Sequence, residues 1–204
     1  MAYELEGFNF SDHIDKLVTI AKSINKDDIT IVTGPNGYGK SFLRKLMGNL
    51  HSKLDFPVVA SCSMESRTHA NENMSALRSI RMDDPTDATS NHTCYQISQL
   101  FNAKGRYLVI DEPEIGMGKE VLLGLINYLN ETIDKMKVDG NFKGFMFITH
   151  SEFFIEHIKY DTFVNIEGMT YEQWKNREIV AIDPKKLEEW SSEMWKAIEK
   201  RLKH

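Results

Sequence analysis

Residues 30–41 read Thr-Ile-Val-Thr-Gly-Pro-Asn-Gly-Tyr-Gly-Lys-Ser. The first four residues form a β-branched run that is typical of a buried strand, and this run ends at a glycine. From Gly34 to Ser41 the sequence fits the pattern Gly-x-x-x-x-Gly-Lys-Ser of a phosphate-binding loop. Apolar residues then recur at helical spacing, which predicts a helix from Lys40 onward. Because strand, loop and helix follow in this order, a phosphate site is favoured over a chance glycine turn.

Each residue type in this loop suits the binding of a phosphate chain. The glycines can adopt positive φ and leave backbone N–H groups clear to surround an anion. The Lys40 ammonium can reach the β- and γ-phosphates, and the Ser41 hydroxyl is an oxygen ligand suited to Mg²⁺. A helix that begins at Lys40 points its positive end at the same phosphates. We therefore expect nucleotide to be held by Gly34, Pro35, Asn36, Gly37, Tyr38, Gly39, Lys40 and Ser41.

The bulk composition limits the classes of protein to consider. The chain has 204 residues and a formal net charge of −5, which suits one domain and argues against a strongly basic nucleic-acid surface. Nucleic acid is a possible partner, but this composition does not indicate it. No apolar run approaches the ~20 residues that cross a bilayer, and the first residues lack the pattern of a signal peptide. These features predict a cytoplasmic protein with no membrane partner.

Strand and helix patterns alternate along the chain. Beyond the phosphate loop, strands are predicted at residues 56–60, 107–110, 145–148, 162–166 and 178–182, with amphipathic helices between most of them. A last helix is predicted at residues 184–204. This alternation predicts an α/β fold with a mostly parallel central sheet.

Two carboxylates follow the apolar strand at residues 107–110. Asp111 and Glu112 come directly after it, and Pro113 follows them. The carboxyl ends of strands in an open α/β sheet border the ligand crevice. We therefore expect Asp111 to hold Mg²⁺, and Glu112 to orient or deprotonate an attacking water. The alternative is a pair of surface acids entering a turn, and the phosphate loop makes that alternative the weaker one.

His150 stands at the end of another predicted strand. It follows the apolar run at residues 145–148 after a single threonine. A lone histidine at a strand end is usually structural or solvated. Here three predicted strands would bring their ends to one crevice, so we expect His150 to contact the γ-phosphate or the attacking water.

Together these motifs resemble those of the ATP-binding-cassette (ABC) ATPase superfamily. The loop from Gly34 to Ser41 corresponds to Walker A, Asp111 and Glu112 to Walker B with its catalytic acid, and His150 to the switch histidine. The form Asp-Glu-Pro-Glu is similar to the non-transporter branch, which includes RecF-like, SMC-like and overcoming-lysogenisation-defect ATPases. The resemblance implies a P-loop NTPase three-layer sandwich that uses ATP and Mg²⁺. It also implies a homodimer in which two head-to-tail domains enclose two ATP molecules.

The chain departs from this family between the first two motifs. Ser90 stands where the signature serine is expected, but Asn91 and His92 replace the two glycines that follow it. An ordinary helix cap is the alternative role for this serine. The family's Gln-loop has no glutamine here, and Glu65 or Ser66 could replace it. The resemblance therefore implies a single domain, residues 1–204, with a reduced helical and signature insertion at residues 61–92.

The resemblance thus implies an Mg-ATP-binding protein that hydrolyses ATP slowly, although the residues themselves do not distinguish adenine from guanine. By the resemblance, nucleotide state would be coupled to dimerisation or to control of a separate effector protein. Two alternatives stay open: a non-catalytic ATP-sensing scaffold, and the nucleotide-binding subunit of a membrane transporter. Tyr3, Phe8 or Phe10 could stack on a base, although early aromatic residues more often belong to the core.

Overall fold

A computed structural model of the protein describes residues 7–50, 56–63, 89–102 and 105–202, without the side chains of residues 49, 50, 89–92 and 202. The elements in these ranges are α1 (Phe10–Ser23), β1 (Ile29–Thr33), α2 (Lys40–Leu50), β2 (Val59–Cys62), α3 (Thr89–Leu100), β3 (Tyr107–Asp111), α4 (Lys119–Val138), β4 (Phe145–Ile148), α5 (Glu152–His157), β5 (Thr162–Asn165), α6 (Tyr171–Lys175) and α7 (Pro184–Leu202).

The five strands form one sheet in the order β2-β3-β4-β1-β5, and every pair of neighbours is parallel. β4 lies between β1 and β3. Its last residue, Ile148, is in register with Val32 on one side and with Asp111 on the other. Because parallel strands end at the same edge, the residues that follow β1, β3 and β4 meet there.

Helices cover both faces of the sheet, which gives an α/β fold of three layers. Val32, Val109 and Met146 pack in one core cluster with residues of α1, α2 and α7. Ile31, Ile110 and Phe147 face the other way and pack with residues of α3, α4, α5 and α6. Alternate side chains of one strand therefore enter different cores, as the period of two in a strand requires. β1, β3 and β4 are buried at every residue, which explains why each reads as a continuous apolar run.

The strands predicted at residues 107–110, 145–148 and 162–166 are present, but the one predicted at residues 178–182 is not. That segment forms no strand, and its Ile179 is 89% exposed. The sequence patterns did not predict helix α6, which has only five residues. Thr170 and Gln173 form a capping box at its start, and Trp174 anchors it in the core.

None of the helices in the described ranges is both long enough and apolar enough to span a lipid bilayer. The predicted insertion at residues 61–92 falls mostly on residues 64–88, which lie outside the described ranges, as do Glu65 and Ser66.

Candidate functional site

The glycine loop connects β1 to the start of α2. Gly37 and Gly39 have φ of +74° and +90°, a region that favours glycine. A Cβ on Gly39 would lie 2.6 Å from Leu17 Cδ1, so the loop packs closely on α1 and a side chain there would force Leu17 to shift. His13 Nε2 lies 3.0 Å from the carbonyl oxygen of Tyr38, which further fixes the loop against α1. The loop is therefore fixed in position by its contacts with Leu17 and His13 of α1.

The Lys40 side chain is buried inside this loop. Its ammonium donates hydrogen bonds to the carbonyl oxygens of Gly34, at 3.0 Å, and Pro35, at 2.9 Å. Burial lowers the pKa of Lys40 to about 8, although the negative charges of Glu112, Asp111 and Glu114 oppose this shift. A buried ammonium that is only partly compensated is a strong attractor for an anion.

Asp111 ends β3 and is buried. Its Oδ2 lies 3.7 Å from Nε of Arg44, a residue of α2, so this carboxylate already faces a cation. Asp111 and Ser41 line the same cavity. Within the described residues, no group of three or more His, Cys, Asp or Glu side chains could hold a metal ion by itself. Mg²⁺ usually binds through one or two protein oxygens together with water and phosphate oxygens, so Ser41 and Asp111 fit that ion.

Glu112 has φ of +54° and, among the described residues, is the sole non-glycine with positive φ. Its backbone N–H donates to the carbonyl oxygen of Ile148 at 2.7 Å, which anchors this conformation to the end of β4. Left-handed backbone costs about 1–2 kcal/mol for a residue with a Cβ. Residues with such strain are concentrated at functional sites, where the unusual backbone conformation sets the direction of the side chain.

Glu114 joins the turn after β3 to the end of β4. Its Oε1 accepts hydrogen bonds from Thr149 Oγ1, at 2.7 Å, and from the backbone N–H of His150, at 2.9 Å. The sequence alone did not predict a role for this residue. The third carboxylate in Asp-Glu-Pro-Glu was a signal, but only the fold shows what it contacts. Glu114 is therefore a residue that positions His150.

His150 lies beside Glu112, with Nε2 of the imidazole 3.8 Å from Oε1 of the carboxylate. Burial, and then the positive charges of Lys40 and Arg177, lower the pKa of His150 to about 4. The imidazole is therefore neutral at pH 7, and its contact with Glu112 is not an ion pair at that pH. A neutral imidazole can donate one ring N–H to an anionic oxygen.

A cavity of about 330 Å³ opens beside the loop. Seven of the residues expected to act at the site line it: Asn36, Gly37, Gly39, Lys40, Ser41, Asp111 and Glu112. The far side is formed by α2 and α7, through Phe42, Lys45, Ser191, Met194, Trp195 and Ile198. The volume falls in the range of small-molecule sites.

The remaining expected site residues lie outside this lining. Gly34 and Pro35 face Lys40 through their carbonyl oxygens, and His150 contacts Glu112. The Tyr38 ring is buried and stacks on Trp190 with centroids 4.9 Å apart, so this residue offers its backbone rather than its side chain to a ligand. Ser90 lies in α3, a helix on the opposite face of the sheet from α2, and its side chain is not described.

Comparison of the sequence with protein-family models gives no match, and comparison with curated proteins gives none either.

Proposed function

We propose that this chain is a P-loop ATPase of the ABC type, which binds Mg-ATP, hydrolyses it slowly and couples nucleotide state to dimerisation or to a separate effector protein. One observation carries the proposal. The ends of three parallel strands bring Lys40, the pair Asp111 and Glu112, and His150 to one edge of the sheet. These groups can supply what phosphoryl transfer to water uses: a cation for the phosphates, a ligand for the metal, a carboxylate for the water and an N–H donor for the developing charge.

The loop and its helix would hold the triphosphate. Lys40 would exchange its two carbonyl partners for β- and γ-phosphate oxygens, and the N–H groups at the start of α2 would face the same anion. Ser41 and Asp111 would hold Mg²⁺. The positive charge of that ion would offset the negative charge that develops on the phosphate oxygens during the reaction.

Glu112 and His150 would serve the attacking water. The left-handed backbone of Glu112 and its anchor on Ile148 fix the position of a carboxylate that can orient or deprotonate water. His150, held by Glu114, would donate an N–H to the γ-phosphate in its neutral form. Dimerisation and control of an effector rest on the family resemblance alone, as does a role for Ser90 towards a partner's nucleotide.

An ATP-sensing scaffold without turnover is the second candidate. It is favoured by the contact between Arg44 and Asp111, since a cation on this carboxylate competes with Mg²⁺. Steady hydrolysis would then be slow or absent although ATP binds.

Calorimetric titration of the wild-type chain with ATP tests the proposal directly. We expect ATP to bind only when magnesium is present. A phosphate-release assay should then show slow hydrolysis, and light scattering should show a higher molecular mass when Mg-ATP is bound. Binding without phosphate release would favour the sensor. If the protein takes up no ATP with magnesium, both candidates are wrong.

The affinity for Mg-ATP should fall as pH rises from about 7 to about 10. Lys40 has a lowered pKa, so its ammonium loses its proton near pH 8, whereas phosphate binds the charged form. The decline should approach about tenfold per pH unit above that pKa. Calorimetry at about pH 8.5 in two buffers of different ionisation enthalpy should also report proton uptake on binding. A flat pH profile would show that Lys40 does not hold the phosphate.

A further inference from the structure

The cavity does not end at the phosphate loop. It continues between α2 and α7, where Lys45, Met194, Trp195 and Ile198 form its wall. A triphosphate needs only the loop and the acids beside it, so the proposed function leaves this second half without a role. Its lining combines an aromatic ring, two apolar side chains and one ammonium group. Such a wall suits a flat, partly polar ring system.

Trp195 differs from the other two tryptophans of the chain. Trp174 and Trp190 are buried in the two cores, whereas Trp195 is 49% exposed. The neighbouring residues Met194 and Ile198 are buried in the core cluster that α7 shares with α1 and α2, so the helix that carries the indole is fixed. Arg201 of α7 also binds Asp15 of α1 at 2.8 Å. An exposed aromatic on a rigid element loses little freedom when a ligand stacks on it.

We propose that Trp195 is the platform on which the base of a purine nucleotide stacks when the phosphates occupy the loop. This inference rests on the proposed function and assigns the residue that contacts the base of its nucleotide. A base has a π-face that stacks on an indole, and a purine covers more of the indole than a pyrimidine does. The platform selects purine over pyrimidine nucleotides.

Two of the three aromatic residues that the sequence suggested for the base belong to the core instead. Phe8 and Phe10 pack against Trp190, with ring centroids 4.4 and 5.1 Å apart, and belong to the core around it. Tyr3 lies outside the described residues. Trp195 is the aromatic residue that lines the cavity with an exposed ring.

Lys45 gives this wall its charge. Its ammonium lies 5.3 Å from the centroid of the Trp195 ring, a distance suited to a cation–π contact. Both residues line the cavity, so an incoming base would take the ring face that the flexible lysine covers. The displaced ammonium would stay in the cavity that Lys40 and Ser41 also line, where its charge would attract the phosphate chain. Lys45 therefore protects the indole when no nucleotide is bound and adds attraction when one is.

The test compares three ligands, Mg-ATP, Mg-CTP and magnesium tripolyphosphate, on the wild type, Trp195→Ala and Trp195→Phe. We expect Trp195→Ala to weaken ATP binding about tenfold, in the range for loss of one base–aromatic stack. Tripolyphosphate affinity should not change, because it has no base. Trp195→Phe should retain most of the ATP affinity. The wild type should prefer ATP to CTP, and ATP but not tripolyphosphate should change the fluorescence of Trp195.

Tyr128→Ala is the matched control, because Tyr128 is a similarly exposed aromatic on α4, across the sheet. It should leave all three affinities unchanged. If Trp195→Ala binds ATP like the wild type, Trp195 does not stack on the base, and the proposal that the protein is an ATPase is unaffected. If it does so while its oligomeric state changes, Trp195 belongs to an interface between copies. If the wild type binds neither ATP nor tripolyphosphate, the proposed function fails, and the platform fails with it.

Discussion

Lys40→Met should weaken binding of Mg-ATP by more than about a hundredfold. The ammonium of Lys40 is buried, and its attraction for phosphate acts in a medium of low dielectric. Loss of one partner from a buried, hydrogen-bonded charge pair costs about 2–5 kcal/mol, which corresponds to at least about thirtyfold in affinity. Interaction with more than one phosphate oxygen raises this figure. Calorimetric titration with Mg-ATP measures it.

The same change should not unfold the protein. Burial has already lowered the pKa of Lys40, so the native chain pays a desolvation cost that methionine, of similar length, avoids. We expect the Tm of Lys40→Met to equal or exceed that of the wild type. Lys22→Met, an exposed lysine at the end of α1, is the matched control and should keep full ATP affinity. Nearly normal ATP binding by Lys40→Met would show that the loop does not hold the triphosphate.

The architecture of the sheet was predictable because its central strands are buried on both faces. β1, β3 and β4 read as apolar runs, and the next residue in each case is polar or a glycine. Residues 178–182 show why the same reasoning can fail. Their β-branched residues fit a strand, but a strand also needs a neighbour with free backbone groups, and no strand of the described sheet pairs with this segment. The amino-acid composition of a segment indicates its propensity for the β conformation, but whether the segment pairs with another strand depends on the tertiary structure.

The site was predictable to the extent that its residues are close in sequence. The loop motif contains Lys40 and Ser41, and the second motif contains Asp111 and Glu112. Glu114 contacts His150, which is 36 positions away, and Trp195 contacts Lys45, which is 150 positions away. Only the fold reveals contacts between residues so distant in sequence. The register of β4 between β1 and β3 is what converts three separate motifs into one site. The role of Ser90 stays a prediction, because its side chain is not described.

Glu112 links strain to function in this site. A glycine would adopt φ of +54° without the cost that glutamate bears, so stability alone does not favour a side chain here. A residue that keeps a costly conformation in a site is best explained by what its side chain does. Its carboxylate lies between the neutral imidazole of His150 and the cavity that Lys40 lines. The most informative substitution at Glu112 is therefore one that removes the negative charge of the side chain and keeps its shape.

Glu112→Gln should lower kcat for ATP hydrolysis by about a hundredfold to ten-thousandfold, the usual contribution of a positioned general base. The amide cannot take a proton from water, but it has the same size and bears the same left-handed backbone, so folding and Mg-ATP binding should be retained. Phosphate release under saturating ATP measures the loss, and calorimetry measures the retained affinity. The bound form should persist for longer, so any ATP-dependent dimer or effector complex should accumulate in this variant.

Glu120→Gln supplies the same chemical change on an exposed residue at the start of α4, and it should hydrolyse ATP like the wild type. The comparison separates an enzyme from a sensor. If the wild type and Glu112→Gln release phosphate at the same background rate while both bind ATP, Glu112 has no chemical role and the sensor is the better description. If Glu112→Gln loses turnover and traps a complex while it keeps its affinity for Mg-ATP, the strained carboxylate acts on the attacking water, because the size and backbone of the residue are unchanged.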